Sequence, residues 1–284
     1  MKKKKIFEFL GFFSLRICLY LVLAVLFLFV YDIGSKGAGT VNWEFLSQAP
    51  RRGMTEGGIF PAIIGTLLVT IVTAILAVPL GMFAAIYLNE YAKQTRLTRI
   101  IRLSIRNLSG VPSIVYGLFG VILFVNILKF GTSILSAGLT LGFLTLPWTI
   151  TASEEALKTI PNSYREGALA LGATKWQAIR TNVLPYAMSG MLTGIVLGLA
   201  RAAGETAPIM FTGAAFYLPF LPQSLSEQFM ALPYHLYVMA TQHHSIAQVR
   251  PIAYGTALVL LLLILLMNMS VAFIRYRMRR VKRE

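Results

Sequence analysis

The sequence predicts an all-α membrane protein with six transmembrane helices, and two observations lead to that prediction. First, 56% of the 284 residues are hydrophobic and 13% are charged, whereas soluble domains average about 45–50% apolar and about 25% charged residues. The mean hydropathy is correspondingly high, at +0.69. Second, apolar runs of about twenty residues recur along the chain, and an α-helix of that length crosses a bilayer. We therefore expect a multi-pass membrane protein.

Six apolar runs, separated by polar or charged segments, are the predicted spans. They lie at residues 17–33, 59–88, 108–129, 133–152, 186–215 and 252–274. Together they form one transmembrane domain, residues 17–274, between an N-terminal segment, residues 1–16, and a basic tail, residues 275–284. The first run continues to Ile33 without a small-residue cleavage site, so we expect an uncleaved span and not a signal peptide.

The lysine and arginine residues predict that both termini are cytoplasmic. In that orientation the cytoplasmic segments carry 20 of these residues and the external loops carry five, while Arg201 lies inside the fifth span. The reverse orientation would invert this bias against the positive-inside rule. The same distribution accounts for the net charge of +15. It argues against a nucleic-acid-binding protein, in which the basic residues would form one patch or stripe.

A basic segment between the second and third spans has the spacing of one helical face. Its basic residues are three or four positions apart: Lys93, Arg96, Arg99, Arg102 and Arg106. Residues at this spacing are neighbours on a helix surface. A helix of this kind is suited to lie along anionic lipid headgroups of the bilayer.

The one long polar stretch, residues 153–185, is predicted to be a cytoplasmic loop of two short helices. Two S/T-x-x-E/Q sequences have the spacing of a capping box: one begins at Ser163 and the other at Thr174. Gly172 lies between them and allows a sharp turn. Pro185 predicts a break or kink before the fifth span. Such a loop offers a compact projection to a partner.

This loop resembles the cytoplasmic loop of ABC-importer permeases, written E-A-A-x-x-x-G followed by I-x-L-P. Six residues of the chain form the pattern: Glu166, Gly167, Ala168, Gly172, Leu184 and Pro185. Gly167 replaces the first alanine, and Asn182 stands where the family usually has isoleucine. The resemblance implies that these residues dock onto a dimer of ATPase subunits. The alternative is that Glu166 only caps a helix and Gly172 only turns the chain.

The fifth span contains an unusual pair of charges, Arg201 and Glu205, in the sequence A-R-A-A-G-E-T-A-P. Four residues apart, they would share one helix face, about 20 Å into the span. A charge at that depth costs at least about 2.5 kcal/mol, and such residues usually pair and mark a pathway. We predict that Arg201, Glu205 and Thr206 lie on a substrate pathway. The alternatives are a purely structural ion pair and a Thr206 hydroxyl bonded back to its own helix.

The segments around this pair also resemble the family, and in particular its phosphate subgroup. G-E-T-A-P followed by F-T-G-A-A-F, and N-L-S-G-V-P-S-I-V-Y-G-L-F-G at 107–120, carry the likeness, which covers about residues 57–215. It implies the type I ABC-importer permease fold in a bacterial cell membrane and inorganic phosphate as the substrate. It also implies a heterodimer with a sister permease, an ATPase dimer and an extracytoplasmic phosphate-binding protein.

Three alternatives remain open at this stage. The substrate could be another oxyanion, molybdate or sulfate. The chain could be a stand-alone secondary transporter or channel, although such proteins commonly have internal repeats that we do not find. It could also be a structural membrane subunit, in which the buried charges would serve no transport.

We expect no enzymatic activity, no cofactor and no metal site. The chain has no G-x-x-x-x-G-K-[ST] sequence for binding ATP phosphates, so a partner subunit would hydrolyse ATP. No nucleophile with a neighbouring base is evident. The adjacent His243 and His244 are interpreted as part of a solvated external loop.

Overall fold

The computed structural model describes residues 2–280, so the last residues of the basic tail, 281–284, lie outside the described part. Twelve α-helices are described, here α1 to α12. Their bounds are Lys2–Gly37, Trp43–Ser47, Phe60–Ile86, Arg96–Leu108, Ser113–Gly120, Ile134–Lys158, Ser163–Ala170, Lys175–Ala178, Leu184–Ala203, Ala207–Thr212, Leu232–Thr241 and Ile246–Arg280. Three stretches with π-helical turns, Tyr87–Tyr91, Val121–Ile127 and Ile179–Val183, extend α3, α5 and α8. A small antiparallel hairpin pairs β1, Pro50–Arg51, with β2, Glu56–Gly57.

The predicted spans correspond to five or six membrane-length helices among the described residues. The five are Gly11–Gly37, Phe60–Tyr91, Ile134–Lys158, Lys175–Ala203 and Ile246–Arg277. A sixth is counted only if α4 and Ser113–Ile127 are taken together as one span. The two are bent by 100° relative to each other, and Ser113–Ile127 is shorter than the predicted third span. Pro112 stands at this bend, where the residue before a proline is disfavoured in the helical conformation. The all-helical membrane fold is therefore confirmed.

The fifth span ends earlier than predicted, because the helical pattern does not follow the apolar run. The prediction placed its end at Ala215, whereas α9 ends at Ala203 and a separate short helix, α10, follows. Pro208 explains the interruption. It has no N–H to donate to the Gly204 carbonyl one turn back, and its ring clashes with that carbonyl, so it favours a new helix start after the C-cap of α9 at Gly204.

The core is built from α3, α6 and α9, which approach each other closely through small residues. A Cβ atom at Gly138 of α6 would collide with Val72 of α3, and one at Gly194 of α9 would collide with Ala152 of α6. Close approach of this kind lets helices gain packing energy where the solvent is itself apolar. The result is a rigid block whose one end carries the loop 153–185.

Helix α4 confirms the predicted basic helix, with two corrections. Lys93 precedes the helix, which begins at Arg96. Arg102 is turned inward, where its Nη2 donates to the Leu88 carbonyl at 2.7 Å. The exposed face of α4 therefore carries Arg96, Arg99 and Arg106 beside exposed leucine and isoleucine side chains, a composition that suits a bilayer surface.

At the opposite end from the loop 153–185, His243 corrects the prediction of a solvated histidine pair. Its side chain is buried and its ring stacks on that of His244, with 4.4 Å between the centroids. Ser245 N–H donates to His243 Nδ1 at 3.0 Å. The proton therefore sits on Nε2, which donates to the Gly53 carbonyl at 2.7 Å. His243 thus fixes the hairpin to the segment that begins α12.

Candidate transport and coupling sites

The structure brings Arg201 and Glu205 together, as predicted, although not on one continuous helix. Arg201 lies in the last turn of α9, and Glu205 follows the helix end at Gly204. The Arg201 Nε lies 3.5 Å from Glu205 Oε1. Their side chains are 48% and 15% exposed in the isolated chain. At that distance the contact is an ion pair and not a tight hydrogen bond, so the guanidinium keeps most of its donors.

A third side chain completes this cluster, Trp148 of α6, which the sequence analysis did not select. The Arg201 Cζ lies 5.1 Å from the centroid of its ring. A cation over a tryptophan face gains about 0.5–2 kcal/mol, depending on solvation. The indole therefore packs against one face of the guanidinium, and the edge of the guanidinium that carries its N–H donors remains open. No local pattern joins residues 53 positions apart in different helices, so this contact could not be predicted from the sequence.

Thr206 lies at the start of α10, next to this cluster, and is partly exposed. Its backbone carbonyl accepts from Met210 N–H at 3.2 Å, as the first bond of α10. Within residues 2–280 its hydroxyl makes no bond back to its own helix, in contrast to the buried threonines Thr66 and Thr70 of α3. The hydroxyl therefore remains able to donate a hydrogen bond beside Arg201.

The predicted coupling loop begins later than expected, because residues 153–158 still belong to α6, and it forms two short helices around a glycine turn. Helix α7 is followed by Gly172, whose φ of +82° is a conformation that favours glycine. The second capping box is confirmed, because Gln177 N–H donates to Thr174 Oγ1 at 3.3 Å and Thr174 N–H to Gln177 Oε1 at 2.8 Å. The first is wrong. The cap of α7 is Asn162, whose backbone is already helical and whose side chain makes no capping bond.

Of the break or kink predicted at Pro185, the break is wrong, because the chain continues from α8 into α9, and the kink stays a prediction. A π-helical turn, Ile179–Val183, joins them into one helix from Lys175 to Ala203. Pro185 occupies the first turn of α9. The wider π-helical turn accommodates Pro185, which has no backbone N–H to donate. One element therefore runs from the loop to the Arg201 cluster.

Residues 163–177 of the loop project from the helical block, and most of them are exposed in the isolated chain. Of the six pattern residues, Ala168 is buried, Leu184 and Pro185 are partly buried, and Glu166, Gly167 and Gly172 are exposed. Apolar side chains lie on the same surface, above all Leu171, which is 90% exposed. Exposed apolar residues at a helical projection are a common mark of a protein–protein contact.

The chain matches the family model described as "binding-protein-dependent transport system inner membrane component" over residues 77–280. The chain belongs to this family. The matched range includes both the coupling loop and the Arg201 cluster, so these features lie in the part of the chain that the family shares. Membership makes the chain a multi-pass transport subunit of a cell membrane, as predicted.

Two curated relatives of this chain are named as permease proteins of phosphate transport systems. "Phosphate transport system permease protein PstA 1" of Mycobacterium tuberculosis is 37% identical over 228 residues, which are 80% of this chain and 72% of the relative. "Probable phosphate transport system permease protein PstA" of Methanocaldococcus jannaschii is 34% identical over 213 residues, which are 75% and 74% of the two chains.

A solved structure with low sequence identity shows the same architecture. It belongs to a bacterial ABC transporter involved in the import of the acidic polysaccharide alginate. The TM-score is 0.65 at 13% identity, and the match covers 92% of this chain and 95% of the other. The predicted ABC-importer permease fold is therefore confirmed. The cytoplasmic location of the two termini stays a prediction from the charge distribution.

Proposed function

We propose that this chain is the transmembrane permease subunit of an ATP-driven importer of inorganic phosphate. The observation that carries the proposal is the Arg201 cluster, found in a family of importer subunits whose members named above as phosphate permeases are 34% and 37% identical. An arginine with open donors suits a tetrahedral oxyanion. The planar guanidinium forms paired hydrogen bonds with phosphate oxygens and stays ionised at every physiological pH.

The three predicted pathway residues would act as follows. Near neutral pH, phosphate carries about one to two negative charges, and Arg201 would take the place of part of its hydration shell. Glu205 would pair with Arg201 when the path is empty, so that the ion is exchanged and not trapped. The hydroxyl of Thr206 would add a neutral donor. Trp148 would hold the guanidinium plane without competing for its donors.

Coupling to ATP would follow from the continuous helix that joins the loop to the cluster. From Lys175 to Ala203 it contains 29 residues and would therefore be about 42 Å long at 1.5 Å per residue. Residues 175–185 belong both to the predicted loop, residues 153–185, and to this helix. An ATPase subunit that displaced the loop would therefore move the helix as one body. Hydrolysis would be carried out by that partner, with this chain providing docking and the path.

The proposed assembly has four kinds of component. This chain would pair with a sister permease as a heterodimer, two ATPase subunits would bind at the loops, and a phosphate-binding protein would deliver the ion on the extracytoplasmic face. The exposed projection around Leu171 supports the ATPase contact. Both termini would be cytoplasmic, with the transmembrane domain at residues 17–274, as the charge distribution favours.

The proposal is tested by co-purifying the chain with the products of neighbouring genes and reconstituting the complex in proteoliposomes. We expect ATP hydrolysis to rise when the binding protein is loaded with phosphate and to stay at its basal rate with sulfate or molybdate. Stimulation by sulfate or molybdate instead would identify a different oxyanion. Ion transport by the chain without any ATPase would indicate a secondary transporter or channel.

A further inference from the structure

Two arginines bind the ends of α3 and α6 at the side of the molecule that carries the coupling loop. Arg165 belongs to α7, and Arg102 belongs to α4. Each guanidinium contacts both core helices, or the turn that extends them, and each therefore attaches one peripheral helix to the same two elements. Only the helix held by Arg165 is part of the predicted docking loop.

Arg165 makes the denser set of contacts. Its Nε and Nη2 donate to the Glu90 carboxylate at distances of 2.7–3.2 Å. Its Nη1 donates to the Ile160 carbonyl at 2.8 Å, and its Nη2 donates to the Leu157 carbonyl at 3.1 Å. The first contact reaches the turn that extends α3, and the other two reach the end of α6 and the residues after it. This guanidinium is therefore fixed in orientation as well as in position.

Glu90 is placed to make this contact specific. Its side chain is 4% exposed and that of Arg165 is 18% exposed, so water competes little for either group. Asn89 Nδ2 donates to Glu90 Oε1 at 2.8 Å and helps to hold the carboxylate. A charge pair shielded in this way is rigid, and removing either member leaves the other without its opposite charge.

Helix α7 has few other means of attachment. Only one of its eight residues, Ala168, is buried, and an eight-residue helix is too short to be stable by itself. Tyr164 packs edge-on against Tyr186 of α9, with 4.9 Å between ring centroids. The route from α7 to α3 and α6 is therefore carried chiefly by Arg165.

We propose that Arg165 is the positioning residue that transmits movement of the docking helix α7 to α3 and α6, through its pair with Glu90 and its bonds to the end of α6. This inference rests on the proposed coupling function. Without the guanidinium, α7 would still contact the ATPase, but its displacement would be absorbed locally. ATP would then be hydrolysed with less phosphate moved, although the complex remains assembled.

Arg102 provides the matched control, because it binds the same core helices for a different peripheral helix. Its Nε lies 2.8 Å from Glu154 Oε1 of α6 as an ion pair, and its Nη2 reaches the Leu88 carbonyl. Its side chain is as little exposed as that of Arg165. Loss of Arg102 should therefore disturb packing to a similar degree, without loosening α7.

The experiment compares Arg165→Gln, Glu90→Gln, their double variant and Arg102→Gln in the reconstituted complex. The readout is the amount of phosphate imported per ATP hydrolysed, normalised to assembled complex, with the thermal stability of each variant measured alongside. We expect Arg165→Gln to lower this ratio at least threefold, Glu90→Gln to lower it less because the carbonyl contacts remain, and the double variant to match Arg165→Gln. Arg102→Gln should keep the wild-type ratio.

Two results would overturn the inference. One is a wild-type ratio in both Arg165→Gln and Glu90→Gln; the other is an equal loss in Arg102→Gln, which would show that any damage at this end uncouples the complex. Both leave the proposed function standing, because the wild-type complex would still import phosphate with ATP. Failure of the wild-type complex to do so would instead refute the proposed function.

Discussion

Gly172 offers a sharp test of docking, because its backbone conformation can be changed without a steric clash. Its φ is +82°, and a Cβ atom placed there would meet nothing within 4 Å. A substitution therefore acts through the backbone alone. The left-handed conformation costs an L-residue about 1–2 kcal/mol, and β-branched valine is among the least tolerant residues. That energy lowers the population of the native turn about 5- to 30-fold if no other contact compensates.

We therefore expect Gly172→Val to reduce the coupling of hydrolysis to transport, with all spans still inserted. Phosphate uptake and ATP hydrolysis are measured on the same proteoliposomes. Gly34→Val is the matched control, since Gly34 also has open space around it but lies within helix α1, outside the docking loop, without a positive φ. Gly172→Asn should recover part of the activity, because asparagine tolerates the left-handed region. Unchanged uptake in Gly172→Val would refute docking through this turn.

Two further predictions concern topology and acid stability. In a background without the native cysteine, a cysteine at Ser226 should react with an impermeant external thiol reagent and one at Ser163 should not; the reverse labelling would overturn the predicted orientation. Burial, together with the nearby His243, lowers the pKa of His235 to about 4 from its ordinary value of about 6.5. Between pH 6.5 and pH 4, the unfolded chain binds a proton at His235 that the folded chain does not bind. The free energy of unfolding should therefore fall by about 3 kcal/mol over this pH range. His235→Leu should remove this loss in thermal unfolding scans while His244→Leu, at an exposed site, should not, and an equal pH dependence in both variants would contradict the assignment.

The features that the sequence predicted are those encoded locally. Apolar runs gave the membrane helices, the Thr174–Gln177 spacing gave a real capping box, and a four-residue spacing placed Glu205 near Arg201. Each of these signals involves residues within one or two turns of each other. The geometry of the loop followed because Gly172 supplies the positive φ that the turn needs.

The features that were missed depend on contacts between distant segments or on interruption of an apolar run. Apolarity continues past Ala203, so composition alone carried the fifth span too far, whereas α9 ends with its C-cap at Gly204 and Pro208 favours the start of a new helix. The contact of Trp148 with Arg201 joins two helices. The pair of Arg165 and Glu90 spans 75 residues. No periodicity encodes such pairs, which appear only once the helices pack.

The central claim, that phosphate passes Arg201, is tested most directly by phosphate uptake in the reconstituted complex carrying the double variant Arg201→Gln with Glu205→Gln. A charge-assisted hydrogen bond contributes about 1.5–3 kcal/mol, which corresponds to about a 10- to 150-fold change. Arg201→Gln alone should therefore lower uptake by about that factor at normal membrane abundance. Arg201→Lys should lose less, and Glu205→Gln should be milder. In the double variant no charge of the pair is left without its partner, so folding is spared, and our account predicts that uptake stays as low as in Arg201→Gln; import at the wild-type rate would show instead that the pair only supports the structure.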